Sequence, residues 1–208
     1  ITEAEFEALV PGAEISLEGG IDLDCLGNIY ITNSDNNDTG GDVIFKYTAA
    51  TGVLSLLSTE AQIQTATGSP ENNLDVGVVF FDDLFVLVDN DCNCLIKVDP
   101  VSGDAVLLAS EADINSATGN DEADLEGGLA IDQIQNLYIG DDGEIGGNGE
   151  DRPNIVQATQ FGQTSLFAST TEIRNFYNVI EPGSPRLLGS MAIEGVNVCA
   201  EPVEVQVP

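Results

Sequence analysis

An internal repeat is the sequence feature that most constrains how this chain can fold. The phrase LEGGLAIDQIQNLYIGDD at 125–142 has counterparts at 17–35 (LEGGIDLDCLGNIYITNSD) and 74–91 (LDVGVVFFDDLFVLVDND), and a shorter echo, LLGSMAIEGVNVCAE, begins at Leu187. Each phrase is an apolar run, a polar turn, a second apolar run and an acidic stop, which is typical of a two-stranded hairpin. The opening leucines are about fifty to sixty residues apart, so the chain repeats one supersecondary unit.

A second hairpin and a connector follow each of these phrases. The second hairpins are DVIFKYTAATGVLSLLS, CLIKVDPVSGDAVLLAS and NIVQATQFGQTSLFAS, at 42–58, 94–110 and 154–169. The connectors STEAQIQTATG and ASEADINSATG open with Ser or Thr and then Glu, which predicts a helix N-cap with acid in the first turn. Gly68 and Gly119 stand where a helix C-cap is expected.

Four strands per unit predict an all-β fold, a β-propeller-like array of four-stranded blades with short helical connectors. The array is a single repeat domain over 1–208, with three full repeats and a partial fourth. Its predicted parts are the connector of a preceding blade at 1–18, blade 1 at 19–68, blade 2 at 69–119, blade 3 at 120–182, and a partial blade 4 with a C-terminal strand at 183–208. Alternation along the strands predicts a core of Ile21, Leu23, Ile29, Ile31, Val78, Phe80, Phe85, Val86, Leu129, Ile131, Leu137 and Ile139.

Three of these segments carry a family resemblance. GNIYITNSDNN and QNLYIGDDG resemble the NHL and SMP-30-like class of β-propellers, and IKVDPVSG resembles the outer hairpin of that class. The resemblance implies the propeller architecture over nearly the whole chain. It implies no single activity, because propellers include enzymes, lectins, scaffolds and adhesion modules.

Charge limits the class of partner. The chain has 36 acidic residues and 5 basic residues, a net charge of −31. Nucleic acid and anionic membrane surfaces both require a basic footprint, so neither is expected as a partner. No apolar run is long enough for membrane insertion. Cations, basic proteins and a salty habitat remain open, and the composition favours an extracellular protein.

The acidic loops predict a metal site. In a propeller blade, the loop after the second strand and the connector to the next blade emerge on one face, and most of the acids fall there. Calcium takes oxygen ligands from carboxylate, amide and backbone groups, so Ca²⁺ is the candidate cofactor. The candidate ligands are Asn33, Asp35, Asn37, Asp42, Asp89, Asp91, Asp141 and Asp142. The alternative is that these acids only keep the surface soluble or reflect high salt.

An enzyme is the weaker alternative. The resembled family includes calcium-dependent lactonases, whose metal sits at the centre of a closed propeller, and those ligands have no residue-by-residue match here. The chain contains no His, which removes the commonest general base and the Ser-His and Cys-His pairs. We therefore expect a non-enzymatic protein, with a calcium-dependent hydrolase or lactonase of the SMP-30-like type as the alternative.

The four cysteines allow three pairings. Cys25 and Cys92 are expected on opposite faces, too far apart to bond, and a bridge from Cys92 to Cys94 is expected to be strained because one residue separates them. A zinc site is not expected without His. Buried thiols, or a bond from Cys199 to a partner chain, remain open.

The phase of the repeat adds an expectation about assembly. Three blades do not close a propeller, and an open end exposes the apolar face of a blade. Either the chain is a fragment of a larger ligand-binding propeller, or other copies of itself cover the ends. The C-terminal PVEVQVP alternates as a half-buried strand does, and it either completes the fourth blade or adds to the sheet of another subunit. We therefore expect a secreted structural protein that forms a filament or another homo-oligomer, or acts in extracellular binding.

Overall fold

The structure is a computed structural model that describes residues 1–17, 19–34, 41–89, 92–125, 128–143, 153–173 and 175, with the backbone alone at Asp75. The helices are α1 (Glu3–Glu7), α2 (Glu60–Thr67) and α3 (Glu111–Thr118). The strands are β1 (Gly20–Leu23), β2 (Ile29–Asn33), β3 (Val43–Thr48), β4 (Val53–Ser58), β5 (Asn73–Phe81), β6 (Asp83–Asp89), β7 (Cys94–Val98), β8 (Ala105–Ala109), β9 (Leu129–Ile131), β10 (Asn136–Asp141), β11 (Asn154–Thr159) and β12 (Thr164–Ala168).

The strands form three antiparallel sheets, each made of four consecutive strands. The first sheet is β1-β2-β3-β4, the second is β5-β6-β7-β8 and the third is β9-β10-β11-β12. The prediction of an all-β fold with short helices is therefore confirmed. Within the described residues, no helix is long and apolar enough to cross a membrane.

The helical connectors begin and end where the sequence predicts. The Thr59 hydroxyl accepts a hydrogen bond from Gln62 N–H, and Gln62 Oε1 accepts one from Thr59 N–H in return. Ser110 and Asp113 form the same reciprocal pair at α3. These pairs satisfy amide groups that the first helical turn leaves open. Both helices end at a glycine in the left-handed region, which a residue with a Cβ adopts only with strain.

Each connector helix packs on the outer strands of the sheet that follows it. Gln62 Nε2 in α2 donates to the Gly103 carbonyl at 3.2 Å, in the turn between β7 and β8. The Thr164 hydroxyl of β12 donates to the Asp113 carbonyl of α3 at 2.9 Å. The helices thereby tie successive sheets together.

Two apolar cores lie between the three sheets. The core between the first and second sheets includes Tyr30, Ile44, Leu84, Val86 and Ile96. The core between the second and third includes Phe85, Leu87, Leu129, Leu137 and Ile139. Each strand of the second sheet thus alternates between two cores, because successive side chains of a strand point to opposite faces.

A smaller cluster covers part of the opposite face of the first sheet. Phe6 and Val10, from α1 and the turn after it, pack against Ile31, Val43 and Phe45. The rings of Phe6 and Phe45 meet edge to face at 4.9 Å. This cover reaches the middle strands β2 and β3 of the sheet.

The predicted core is wrong at two positions. Ile21 and Leu23 in β1 are 62% and 50% exposed, whereas eight of the other predicted core residues are buried and Ile29 and Phe80 are partly buried. Alternation correctly put Ile21 and Leu23 on one face of β1. The alternation pattern cannot tell whether another element packs on that face. Within the described residues, α1 does not extend over this face of β1.

Candidate functional site

The side chain of Asn33 holds the polypeptide that leads into the first sheet. Asn33 Oδ1 accepts a hydrogen bond from Ser16 N–H at 2.8 Å, and Nδ2 donates to the carbonyls of Glu14 and Gly41 at 3.0 and 2.6 Å. The side chain is fully buried at the end of β2. Burial without these partners would be costly, so the amide functions as a clamp on neighbouring backbone.

Asp141 occupies the same place in the third sheet. It ends β10 as Asn33 ends β2, and its Oδ1 accepts from Asp124 N–H at 3.0 Å and from Gly143 N–H at 3.1 Å. Its Oδ2 accepts from Asn120 Nδ2 at 2.7 Å. Both carboxylate oxygens are therefore engaged, and the two sheets use an amide and a carboxylate for one structural task.

Burial changes the acidity of Asp141. Removal from water raises the pKa of its carboxyl to about 6, although hydrogen bonds from Asp124, Gly143, Asn120 and Asn154 act in the opposite direction. The side chain is fully buried. Desolvation disfavours the charged form of an acid, and the donated hydrogen bonds offset only part of that cost.

The eight predicted calcium ligands fall into two groups. Asp35, Asn37 and Asp91 lie outside the described residues. Of the others, Asp42 and Asp142 are buried, Asp89 is partly buried at the end of β6, and Asn33 and Asp141 make the contacts above. Among the described residues, no group of three or more His, Cys, Asp or Glu side chains could hold a metal ion. The calcium site stays a prediction.

Two aspartates that are not among the predicted site residues, Asp24 and Asp132, organise the hairpins β1-β2 and β9-β10. Asp24 Oδ1 accepts from Leu26 and Asn28 N–H groups, and Oδ2 accepts from Asn28 Nδ2 at 2.7 Å and from the Tyr30 hydroxyl at 3.0 Å. Burial raises the pKa of Asp24, but the hydrogen bonds from Asn28, Tyr30 and Leu26 outweigh burial, so the pKa is lowered.

Asp132 repeats this arrangement in the third sheet. It accepts from Ile134 and Asn136 N–H, from Asn136 Nδ2 at 2.8 Å and from the Tyr138 hydroxyl at 3.1 Å. The shared spacing is Asp, then Asn four residues later and Tyr two residues after that. This spacing was the signal that could have identified the network from the sequence.

The cysteines depart from the sequence expectation. Cys92 and Cys94 form a disulfide with their Cα atoms 5.1 Å apart, and both are buried. The intervening Asn93 has φ of +40°, a turn conformation that brings the flanking side chains together. Cys25 is disulfide-bonded as well, and Cys199 lies outside the described residues. The alternative of buried free thiols, left open by the sequence, does not hold for the three described cysteines.

A cleft of about 360 Å³ lies between the end of α2 and the start of α3. Its walls include Thr67, Ser69, Cys92 and Ser110, and Glu111 is the ionisable side chain among them. Among the described residues that line the cleft, Glu111 has no second ionisable side chain beside it with which to form a pair for proton transfer.

The largest departure from the repeat lies on the face of β1 that corresponds to the faces of β5 and β9 turned toward the preceding sheet. Ile21 pairs with Ile31, as Val78 pairs with Val86 in the second sheet and Leu129 with Ile139 in the third. Val78 and Leu129 are 7% and 5% exposed because the preceding sheet covers them, whereas Ile21 is 62% exposed. We call Ile21, Leu23 and the β1 surface around them the open face of the first sheet.

The comparisons with known proteins give no family. No family model matches the chain, and no curated protein matches it. Among solved structures, a luciferin-regenerating enzyme matches over 81% of this chain at 10% identity, with a TM-score of 0.46. The chain spans 48% of that enzyme. So distant a likeness carries no argument, and the resemblance to NHL and SMP-30-like propellers stays a prediction.

Proposed function

We propose that this chain is a non-enzymatic, β-propeller-like protein that acts outside the cell by assembling with other copies of itself. The observation that carries the proposal is the open face of the first sheet. In the other two sheets the corresponding face is covered by the preceding sheet. Ile21 and Leu23 stand side by side on one face of one strand, which distinguishes them from singly scattered surface residues.

The propeller-like arrangement is supported by how the sheets succeed one another. Three four-stranded meanders follow in sequence, each joined to the next by a capped connector, and the innermost strand of one sheet packs on the sheet before it. An array of this kind buries apolar surface by stacking one unit on the next. No described sheet packs on the face of the first sheet that carries Ile21 and Leu23.

The non-enzymatic part of the proposal is supported by the use of the buried acid. Asp141, the described carboxyl with a pKa raised into the range of a general acid or base, has both oxygens hydrogen-bonded to structural groups. The sequence also lacks His. An acid that clamps backbone is not free to move a proton to or from a substrate.

An extracellular location is supported by the disulfide between Cys92 and Cys94. Disulfides persist in oxidising compartments and are rare in the cytosol. The net charge of −31 is compatible with solution in a salty medium.

Negative-stain imaging of the purified chain, with and without a calcium chelator, tests this proposal. We expect rings or filaments rather than isolated particles. Loss of these assemblies on chelation would indicate that the acidic loops bind calcium, and their persistence would indicate that apolar contact alone suffices. Isolated particles of one copy in both samples, at high protein concentration, would contradict the proposal.

A further inference from the structure

We infer that the open face of the first sheet packs against the third sheet of a second copy, so that copies join head to tail. The surface used on the third sheet is the face that carries Tyr138 and Phe167, which we call its outward face. This inference rests on the proposed self-assembly and names the two surfaces that meet. The two contacts between successive sheets inside the chain, which we call joints, already pair the same kinds of surface.

The joint between the first and second sheets shows what such a contact contains. Tyr30, on the face of the first sheet that packs against the second, stacks on Phe80 of β5, with the rings parallel and 5.3 Å apart. Asp22 Oδ2 also accepts a hydrogen bond from Phe80 N–H at 2.7 Å. Leu57, an outer-strand residue of the first sheet, packs into the same core.

The third sheet presents the equivalent residues on its outward face. Tyr138 stands where Tyr30 stands, since each is bonded through its hydroxyl to the aspartate of its own hairpin. Phe167 stands where Leu57 and Leu108 stand, at the β-bulge of the outermost strand pair. Leu57 and Leu108 pack into the cores, but Phe167 is 57% exposed and touches Tyr138 edge to face at 4.8 Å.

The receiving surface is present at the other end of the chain. Leu23 pairs with Ile29 as Phe80 pairs with Leu84. Leu23 of the first sheet therefore corresponds to Phe80 of the second, the residue that stacks on Tyr30. A second copy is thus the occupant that continues the pattern of the internal joints. Each copy carries both contact surfaces, one on the first sheet and one on the third. Because two different surfaces meet, the contact is heterologous.

A heterologous contact has a defined consequence for assembly. It forms a ring when the rotation between copies closes and a filament when it does not, and in either case the assembly has a direction. An isologous contact, in which two open faces meet, would instead stop at a dimer. The two arrangements are separable by mixing variants.

The test uses Ile21→Asp to disable the open face and Phe167→Asp to disable the outward face of the third sheet. Val106→Asp is the control. Val106 is 52% exposed in β8 of the second sheet, so the substitution adds the same charge away from both surfaces. Folding of each variant is checked by circular dichroism, and mass is measured by light scattering in high salt. We expect wild type and Val106→Asp to form large assemblies and each end variant to remain a single copy.

Mixing the two end variants gives the decisive result. Equal amounts should form a complex of two copies and no larger species, because the pair retains one intact joint. Dimers of Phe167→Asp alone would show that open faces meet each other, and large assemblies of an end variant would show that the surface altered in that variant is not used. Either result would overturn the inference while leaving self-assembly standing. A wild type that stays a single copy would instead overturn the proposed function and this inference with it.

Discussion

Ile21 and Leu129 hold the same position in the first and third sheets, and their surroundings are opposite. Each lies on the first strand of its sheet and pairs with an isoleucine of the second strand, Ile31 and Ile139 respectively. Leu129 is 5% exposed beneath the second sheet, whereas Ile21 is 62% exposed. The repeat therefore places an apolar side chain at a position that the preceding sheet covers in the third sheet and that no described element covers in the first.

This contrast predicts unequal costs of truncation. Leu129→Ala should lower the free energy of unfolding by about 2–4 kcal/mol, because it removes buried methyl groups and leaves a cavity. Ile21→Ala should change it by less than about 0.5 kcal/mol in the dissociated chain, because little buried surface is lost. Urea denaturation at low salt and low protein concentration provides both values. Equal losses for the two variants would mean that Ile21 is already covered within one copy.

The buried carboxyl of Asp141 predicts a pH dependence of stability. Its pKa is about 6 in the folded chain and about 4 in an unfolded one. Between these values the folded state binds more protons than the unfolded state, so stability falls as pH rises from about 4 to about 6. A shift of about two units corresponds to on the order of 3 kcal/mol.

Asp141→Asn should remove this dependence. Asn33 shows that an amide suits the position, since its Oδ1 accepts an N–H group just as Asp141 Oδ1 does. The new Nδ2 would replace the oxygen that accepts from Asn120, so the Asn120 amide has to turn over and present its Oδ1, which has no partner. We expect the variant to equal or exceed wild type in stability at pH 7 and to lose that advantage near pH 4. Urea midpoints across pH 4–8, with chelator present, measure the difference. A constant difference between the two proteins at every pH would show that Asp141 does not titrate in this range.

The hairpin networks predict a smaller effect. Tyr30 is buried and donates to Asp24 Oδ2, so Tyr30→Phe should destabilise the chain by about 1 kcal/mol through the lost hydrogen bond. Tyr138→Phe is the matched variant, and we expect a lower cost because Tyr138 is only partly buried. Thermal or urea unfolding of the two variants compares them. A larger loss for Tyr138→Phe would contradict the ranking by burial.

Local features of the fold were predictable from the sequence, whereas contacts between units were less so. The connector caps at Thr59 and Gly68 depend on a few neighbouring residues and are confirmed. The exposure of Ile21 depends on whether another sheet packs on β1, and alternation along one strand carries no such information. The clamp by Asp141 also joins distant segments, so its carboxyl was interpreted as a surface ligand for calcium instead.

Charge predicts how salt affects assembly. The net charge of −31 makes copies repel one another at low ionic strength. The screening length falls from about 30 Å at 0.01 M salt to about 3 Å at 1 M. If apolar surfaces form the contact, the average mass should rise with added NaCl. A fall in mass with added NaCl would indicate that charge pairs hold the copies together.

The central claim is that the open face of the first sheet is an assembly surface, and the most direct test is the mass of the wild-type chain in a dilution series. Light scattering in 1 M NaCl should show masses well above the 21.8 kDa of one copy, returning toward that value on dilution. The Ile21→Asp chain should remain at the mass of one copy throughout. A wild-type mass of one copy at every concentration, indistinguishable from Ile21→Asp, would contradict the account.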